Sequence, residues 1–305
     1  MNLFAARILA FAGLASLAVS CAQVRPVAPE KAPVSKAAAL PASPASPVPT
    51  VPPASPISPH WTNSLGMVFV PVSVAGVKFS TYETRVRDFA AFAATNPKLD
   101  GTNWNHALYH GVTPVSAGPD YPVVNVSWQD ATGFCEWLTK TEQAAGKITM
   151  HQSYRLPTDE EWSDAAGIGG GEVGATPKEK SAKLENVYPW GTQFPPPPGA
   201  GNFADQAALN YFTNWPHIEG YNDGYVTTAP VGSFTPNQFG LFDLAGNALE
   251  WCADYYDAGQ GQRVLRGGAW INCGPKSLLS SYREHAAPHR CSVVTGFRCV
   301  LAENP

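Results

Sequence analysis

The order of apolar and polar residues predicts a few regular elements in the middle of the chain. Residues 66–72, "GMVFVPV", form a run of β-branched and aromatic side chains closed by a proline, which is typical of a strand. Residues 82–95 have the spacing of an amphipathic helix. Its expected buried face consists of Val86, Phe89, Ala90 and Ala93.

Two more helices are indicated by their capping residues. In residues 127–146, Ser127 and Asp130 form an S-x-x-D start signal. The expected buried stripe of this helix is Ala131, Phe134, Cys135 and Leu138. Thr158 with Glu161 predicts a short helix of its own. The rest of the chain has few periodic segments, so we expect turns, short strands and proline-rich loops.

The first 21 residues are typical of an export signal. Arg7 precedes an apolar run at residues 8–19, which is too short for a membrane span, and small residues precede Cys21. "LAVSC" resembles a bacterial lipobox, so we expect Cys21 to be lipidated; a plainly secreted protein and an uncleaved anchor are the alternatives. Because Ala22 is not aspartate, the expected location is the bacterial cell envelope, as an outer-membrane lipoprotein on its periplasmic or surface side.

The composition of residues 22–60 predicts a tether between the domain and that membrane. They are rich in proline, alanine and serine and have no aromatic residues or apolar periodicity, so they cannot bury a core. Polyproline II conformation would give a reach on the order of 100 Å. Residues 61–305 are the expected globular domain.

Composition limits the function of that domain. Charged residues make up 14% of the chain and the net charge is −4, which argues against binding of nucleic acid. The 29 prolines, 27 glycines and nine tryptophans predict a loop-rich domain held by large side chains.

Ordered motifs identify the family that the domain resembles. "YPVVNVSWQDATGFCEWL", "RLPTDEEWSDAAG", "YPWG", "GNF", "DGYVTTAPVGSF", "GLFDLAGNALEWC", "VLRGGAW" and "GFRC" follow one another between residues 63 and 301. Together they resemble the formylglycine-generating enzyme, or sulfatase-modifying factor, family. The resemblance implies an α+β fold: the family's loop-rich variant of the C-type lectin fold, with little regular secondary structure.

The resemblance also implies an oxidase centre, which this chain matches only in part. The family enzymes oxidise a sulfatase cysteine to formylglycine, using a copper ion held by two cysteines five residues apart after a "GGS" turn. Cu(I) is soft and prefers such thiolate pairs. Here the turn ends in Ala269, Cys273 lies close to the first cysteine position, and Leu278 stands five residues on. Copper is therefore not expected, and Cys273 is the one candidate catalytic residue.

Disulfides are the other role expected for the cysteines. In an oxidising compartment, thiols form structural bridges. Cys135 and Cys299 match a bonded pair of family members. Cys273 is expected to bridge Cys291; the alternatives are that it stays a thiol or pairs with Cys252.

Two calcium positions are implied by the resemblance, both with oxygen ligands and a structural role. The first has Asn202, Phe203, Asp223 and Tyr225. The second has Asp243, Gly246, Ala248 and Glu250.

The expected function is therefore a tethered, non-catalytic binding or scaffold protein with a protein, peptide or glycan ligand. A formylglycine-generating or other oxidase with a divergent centre at Cys273 is the alternative. The residues expected on the ligand-facing surface are Trp270, Asn272, Lys276, Tyr282, Arg283, His285, His289 and Arg290.

Overall fold

The computed structural model describes residues 60–72, 74, 76–99 and 104–303. The expected export signal, Cys21 and nearly all of the tether lie outside these residues. The described residues belong to one unit, Pro59–Pro305. No helix among them is both long and apolar enough to cross a membrane.

The regular elements are short. The strands are β1 (Trp61–Thr62), β2 (Val68–Pro71), β3 (Val77–Ser80), β4 (Leu108–Tyr109), β5 (Thr113–Pro114), β6 (Gln152–Arg155), β7 (Leu249–Tyr255), β8 (Arg263–Arg266), β9 (Glu284–Ala286), β10 (Thr295–Gly296) and β11 (Val300–Glu303). The helices are α1 (Val86–Ala93), α2 (Trp128–Ala144), α3 (Asp159–Ala165), α4 (Pro177–Lys180) and α5 (Gln206–Tyr211). Loops connect most of them, as expected from the proline and glycine content.

Two sheets organise the domain. The first has the order β1-β2-β3-β11-β6 and is antiparallel throughout, so the C-terminal strand β11 lies between β3 and β6. The second has the order β10-β7-β8-β9, with β10 parallel to β7. A separate hairpin joins β4 and β5.

The two helices that were predicted from capping boxes begin at those boxes. Ser127 and Asp130 exchange hydrogen bonds at the start of α2, and Thr158 and Glu161 do so at the start of α3. The predicted stripe of α2 is confirmed: Ala131, Phe134, Cys135 and Leu138 are buried, and Glu142 extends it.

Helix α1 differs from its prediction in both start and buried face. It begins at Val86, four residues later than expected, because the backbone N–H of Arg85 is bound by the Asp88 carboxylate in extended conformation. Phe89 is buried as predicted, and the other buried apolar residue of α1 is Phe92. The predicted Val86, Ala90 and Ala93 are only half-buried. Phe89 lies 5.9 Å from Phe134 of α2, ring centre to ring centre, so aromatic packing sets the orientation of the helix.

The buried side chains form three clusters. The largest packs α1 and α2 against the first sheet, and the second lies around Phe79, Trp162 and Val264. The third gathers loop residues, including Phe203, Cys273 and Leu278. The candidate site lies beside this third cluster.

Candidate functional site

The segment after β8 turns sharply and carries Cys273 into the interior. Gly267 and Gly268 have φ angles of 96° and 77°, a region that favours glycine. Asn272 closes the turn by accepting the backbone N–H of Ala269 at 2.7 Å. Cys273 is 9% exposed and packs in the third cluster.

The position five residues after Cys273 holds no sulfur. Leu278 is 3% exposed and packs in the same apolar cluster as Cys273. None of the other described members of that cluster is a cysteine. Both ends of the segment are thus buried among apolar side chains, while Pro275 and Lys276 between them are exposed.

Neither of the two expected disulfides is formed. Cys252 and Cys291 are both free thiols, one buried and one exposed, so the expected Cys273–Cys291 bridge and the alternative bond to Cys252 are wrong. Cys135 and Cys299 were also expected to be bonded, but they are two buried free thiols in contact, with 3.4 Å between their sulfur atoms. Burial raises the pKa of the Cys135 thiol well above its usual range.

The expected ligand-facing surface is only partly at the surface. Trp270 and Arg283 are each 1% exposed, which corrects their assignment. The exposed members are Lys276, His289 and Arg290, and the half-buried ones are Asn272, Tyr282 and His285.

Arg283 is buried because it belongs to an ion network. Its guanidinium donates to Asp159 Oδ1 and Oδ2 at 3.0 Å and 2.9 Å and also to the Glu172 carboxylate. Arg266 binds Asp159 Oδ1 from the other side at 2.5 Å. Burial by itself would raise the pKa of Asp159, but Arg266 and Arg283 outweigh burial and hold it below its usual value. The network ties the segment after Cys273 to the start of α3.

An aromatic face that the sequence did not predict lies over Trp270. We define the aromatic face as Tyr109, Tyr211, Phe212 and Trp215. The Tyr109 ring lies 5.5 Å from Phe212, 5.6 Å from Trp215 and 5.2 Å from Trp270. Tyr211 is 59% exposed, and Leu108, next to Tyr109 in the hairpin, is 43% exposed. Sequence reasoning missed this face because its members come from a hairpin and a helix about 100 residues apart.

The first expected calcium position contains two acidic side chains. Asp223 accepts the backbone N–H groups of Phe203 and Tyr225, each at 2.8 Å, and its own N–H binds Asp205. Burial raises the pKa of Asp223 to about 7. The buried Oδ1 of Asn202 has no hydrogen-bond partner, although its Nδ2 donates to the Thr227 carbonyl.

The second expected position is centred on Asp243, whose carboxyl group is buried. Its Oδ2 accepts the Gly232 N–H at 2.6 Å, while its Oδ1 has no partner. Burial raises the pKa of Asp243 to about 6. Glu250, an expected ligand, is already bound at both oxygens by Arg298 and by the Trp162 indole.

Glu83 joins this second position and was not predicted. Its carboxylate is fully buried and accepts the Ala248 N–H at 2.9 Å and the Asn247 amide at 2.7 Å. Burial raises the pKa of Glu83 well above its usual range, and the neighbouring Asp243 and Glu250 carboxylates raise it further. The signal in the sequence was the acidic Glu83 itself, in "TYETR" just after the end of β3, and no spacing rule connects Glu83 to Asp243.

The charges of this buried group do not balance. Glu83, Asp243 and Glu250 supply three carboxylates, all at most 4% exposed, against the single guanidinium of Arg298. Buried charges are costly unless they are paired. A divalent cation, or two protons, would neutralise the group.

The residues fit calcium on an observation independent of the resemblance. The unpartnered oxygens of Asn202 and Asp243 are the side-chain atoms expected as ligands, and hard cations select such oxygens. No cluster of three or more His, Cys, Asp or Glu side chains in the described part of the chain is arranged to hold a metal. Backbone carbonyls such as those of Gly246 and Ala248 would have to complete each position. The ion would crosslink loops.

A cavity borders the second position. It has a volume of about 280 Å³ and is lined by the proline-rich segment around Trp190 and by Asp243.

Comparison with known proteins identifies the family of the domain. The model of the sulfatase-modifying factor enzyme 1-like domain matches residues 69–303. The chain is 36% identical over 186 residues to inactive C-alpha-formylglycine-generating enzyme 2 of Bos taurus, covering 59% of this chain and 50% of that protein. It is 34% identical over 204 residues to the formylglycine-generating enzyme of Streptomyces coelicolor, covering 61% and 54%. The chain thus spans about half the length of these relatives.

A solved structure supports the fold. PvdO from Pseudomonas aeruginosa superimposes with a TM-score of 0.52 at 20% identity, covering 82% of this chain and all of that one. The family match, which extends from β2 to β11, decides the classification. The chain belongs to the sulfatase-modifying factor enzyme 1-like family.

Proposed function

We propose that the protein is a non-catalytic binding protein built on a sulfatase-modifying-factor domain. The observation that carries this proposal is Leu278, which occupies the second thiolate position and packs against the apolar surroundings of Cys273. Two thiolates make a high-affinity Cu(I) site, and the position of the second one holds an alkyl side chain here. A relative whose name describes it as inactive is consistent with loss of the chemistry in this family.

The aromatic face is the proposed contact surface. Tyr, Trp and Phe side chains dominate protein interfaces because they bury a large area at little entropic cost. The exposed aliphatic side chain of Leu108 beside the Tyr211 ring favours an apolar segment of a protein or peptide as the partner. Lys276, His289 and Arg290 are exposed, so they remain available as polar contacts.

Calcium at the two positions would stabilise the loops behind this face. We also propose that a lipidated Cys21 anchors the protein in the outer membrane. Residues 22–60 would then be the tether between this anchor and the domain.

The oxidase alternative is tested with the full chain. The protein is reduced, loaded with Cu(I) and incubated with oxygen and a cysteine-containing sulfatase peptide, and the peptide is followed by mass spectrometry. We expect no formylglycine. Turnover that the Cys273→Ser variant abolishes would establish the oxidase and refute the proposal.

The binding surface is tested by selection. A peptide display library and a glycan array are screened with the full chain and with Tyr211→Asp and Leu108→Asp variants. Met150→Asp is the matched control because Met150 is 75% exposed and lies outside the aromatic face. We expect enriched peptides that bind wild type and Met150→Asp but not the other two variants. If the enriched peptides bind wild type and all three variants equally, the contact surface is not the aromatic face. If the protein binds glycans alone, the ligand is not a protein or peptide.

A further inference from the structure

Asn247 connects four separate segments through its four polar groups. Its side chain donates to Glu83 Oε2 at 2.7 Å and accepts the Ala229 N–H at 2.9 Å. Its backbone N–H donates to the Asn202 carbonyl, and its own carbonyl accepts the Trp270 N–H, both at 3.0 Å. Asn247 is fully buried and has a φ of 61°, a conformation that asparagine tolerates better than most residues.

Two of these segments are the candidate cation positions. Glu83 belongs to the second position and Asn202 to the first. The backbones of Asn202 and Gly246 also form a parallel bridge so close that a Cβ on Gly246 would lie 1.9 Å from the Asn202 carbonyl oxygen. Displacement of Asn202 or Glu83 therefore moves Asn247.

A third segment leads to the aromatic face. The Trp270 N–H is held by Asn247, and the Trp270 ring lies edge-on to Tyr109 at 5.2 Å. Because Trp270 is only 1% exposed, the position of its ring determines where the Tyr109 ring packs.

We propose that Asn247 is a positioning residue that couples both cation positions to the loop at residues 267–273, so that calcium orders Trp270 beneath the aromatic face. This inference rests on the proposed function. Linkage requires the coupling to be reciprocal: a ligand that holds the aromatic face in place raises the affinity for calcium by the same factor. Such a route needs direct evidence of coupling, since contact alone does not establish it.

The test measures hydrogen exchange of residues 268–274 in the full chain, with chelator and with Ca²⁺. In wild type we expect Ca²⁺ to slow exchange by at least about fivefold, the lower end of typical coupling between sites. Asn247→Gly keeps the positive φ and the backbone bonds to Asn202 and Trp270, but it removes the side-chain bonds to Glu83 and Ala229. The part of the calcium-dependent slowing that comes from the second position should therefore be lost. Circular dichroism and a thermal melt in chelator establish that the variant is folded before its exchange is compared with wild type.

Asn63 is the matched control. It is 6% exposed, and its side chain accepts the N–H groups of Leu65 and Met67 in the turn before β2. Asn63→Gly should lower stability at every calcium concentration yet keep the calcium-dependent slowing at residues 268–274. A purely structural role for Asn247 would give the same pattern as this control, and that result overturns the inference.

Calorimetric titration of Ca²⁺ separates the two levels of the proposal. If wild type binds Ca²⁺ while exchange at residues 268–274 is unchanged, the coupling is refuted and the calcium positions stand. If wild type takes up no Ca²⁺, both the calcium role and the coupling fall, and the peptide selection still decides the binding function.

Discussion

The buried ion network around Arg283 offers the sharpest test of what holds the Cys273 segment in place. Asp159 and Glu172 supply two carboxylates, Arg266 and Arg283 supply two guanidinium groups, and none of the four side chains is more than 5% exposed. The Arg283→Met substitution removes one positive charge from a balanced set. It leaves Glu172 buried without its partner.

The expected cost follows from that imbalance. Breaking a buried ion pair from one side typically costs about 3–5 kcal/mol of unfolding free energy. For a domain of this size, that corresponds to a fall in melting temperature of roughly 6–20 °C. Removing Glu172 as well, in Arg283→Met/Glu172→Met, restores charge balance because Asp159 keeps Arg266. The double variant should therefore be more stable than Arg283→Met alone, with a coupling of at least ~1 kcal/mol.

Urea denaturation of the full chain, followed by circular dichroism, measures all three stabilities. Lys178→Met is the matched control because its ion pair with Asp257, at 3.2 Å, is exposed. It should cost less than about 1 kcal/mol. The reasoning fails if Arg283→Met is as mild as Lys178→Met. It also fails if the two network substitutions add without coupling.

Three further predictions concern other parts of the domain. Burial would raise the pKa values of Asp159 and Glu161, but neighbouring arginines hold them low. Proton uptake by these carboxylates as the pH falls below about 4 should therefore destabilise the fold. In an acid titration, Arg283→Met should unfold at a higher pH than wild type. Calcium at a hundredfold excess over its dissociation constant should stabilise the domain in thermal melts by about 2.7 kcal/mol for each occupied position, and Asn202→Ala should lose the share of the first position. Mild oxidation should join Cys135 to Cys299 in a disulfide and raise the free energy of unfolding by about 5 kcal/mol. Non-reducing peptide mapping detects the bond, and thiols that stay reduced after this treatment would contradict the prediction.

The elements predicted well are those that depend on neighbours in the sequence. The starts of α2 and α3 were correct because a capping box needs only residues three positions apart. Helix α1 was misplaced because its start depends on the Arg85 side chain binding Asp88 and on a backbone bridge to Pro122, which no start signal encodes. Its buried face was misjudged because Phe92 packs against α2 and Trp137.

The candidate site was predictable only where motifs carried it. Asn202 and Asp243 were named from short motifs, and both have the unpartnered oxygens that a cation site needs. Trp270 and Arg283 were expected at the surface because aromatic and charged residues in a loop suggest binding. Their burial results from partners in distant segments, Tyr109 and Asp159.

The family, the loop-rich character, the starts of α2 and α3 and the lack of a cysteine five residues after Cys273 could all be read from the chain, since each depends on residue identity or on short spacings. Which charges meet follows from the folded arrangement alone. Glu83 lies 164 residues before Asn247, and no periodicity relates them. Burial makes an unpaired charge costly, so distant carboxylates, guanidinium groups and amides must find one another in the folded chain. That requirement explains why Asn247 lies against Glu83 and Arg283 against Asp159.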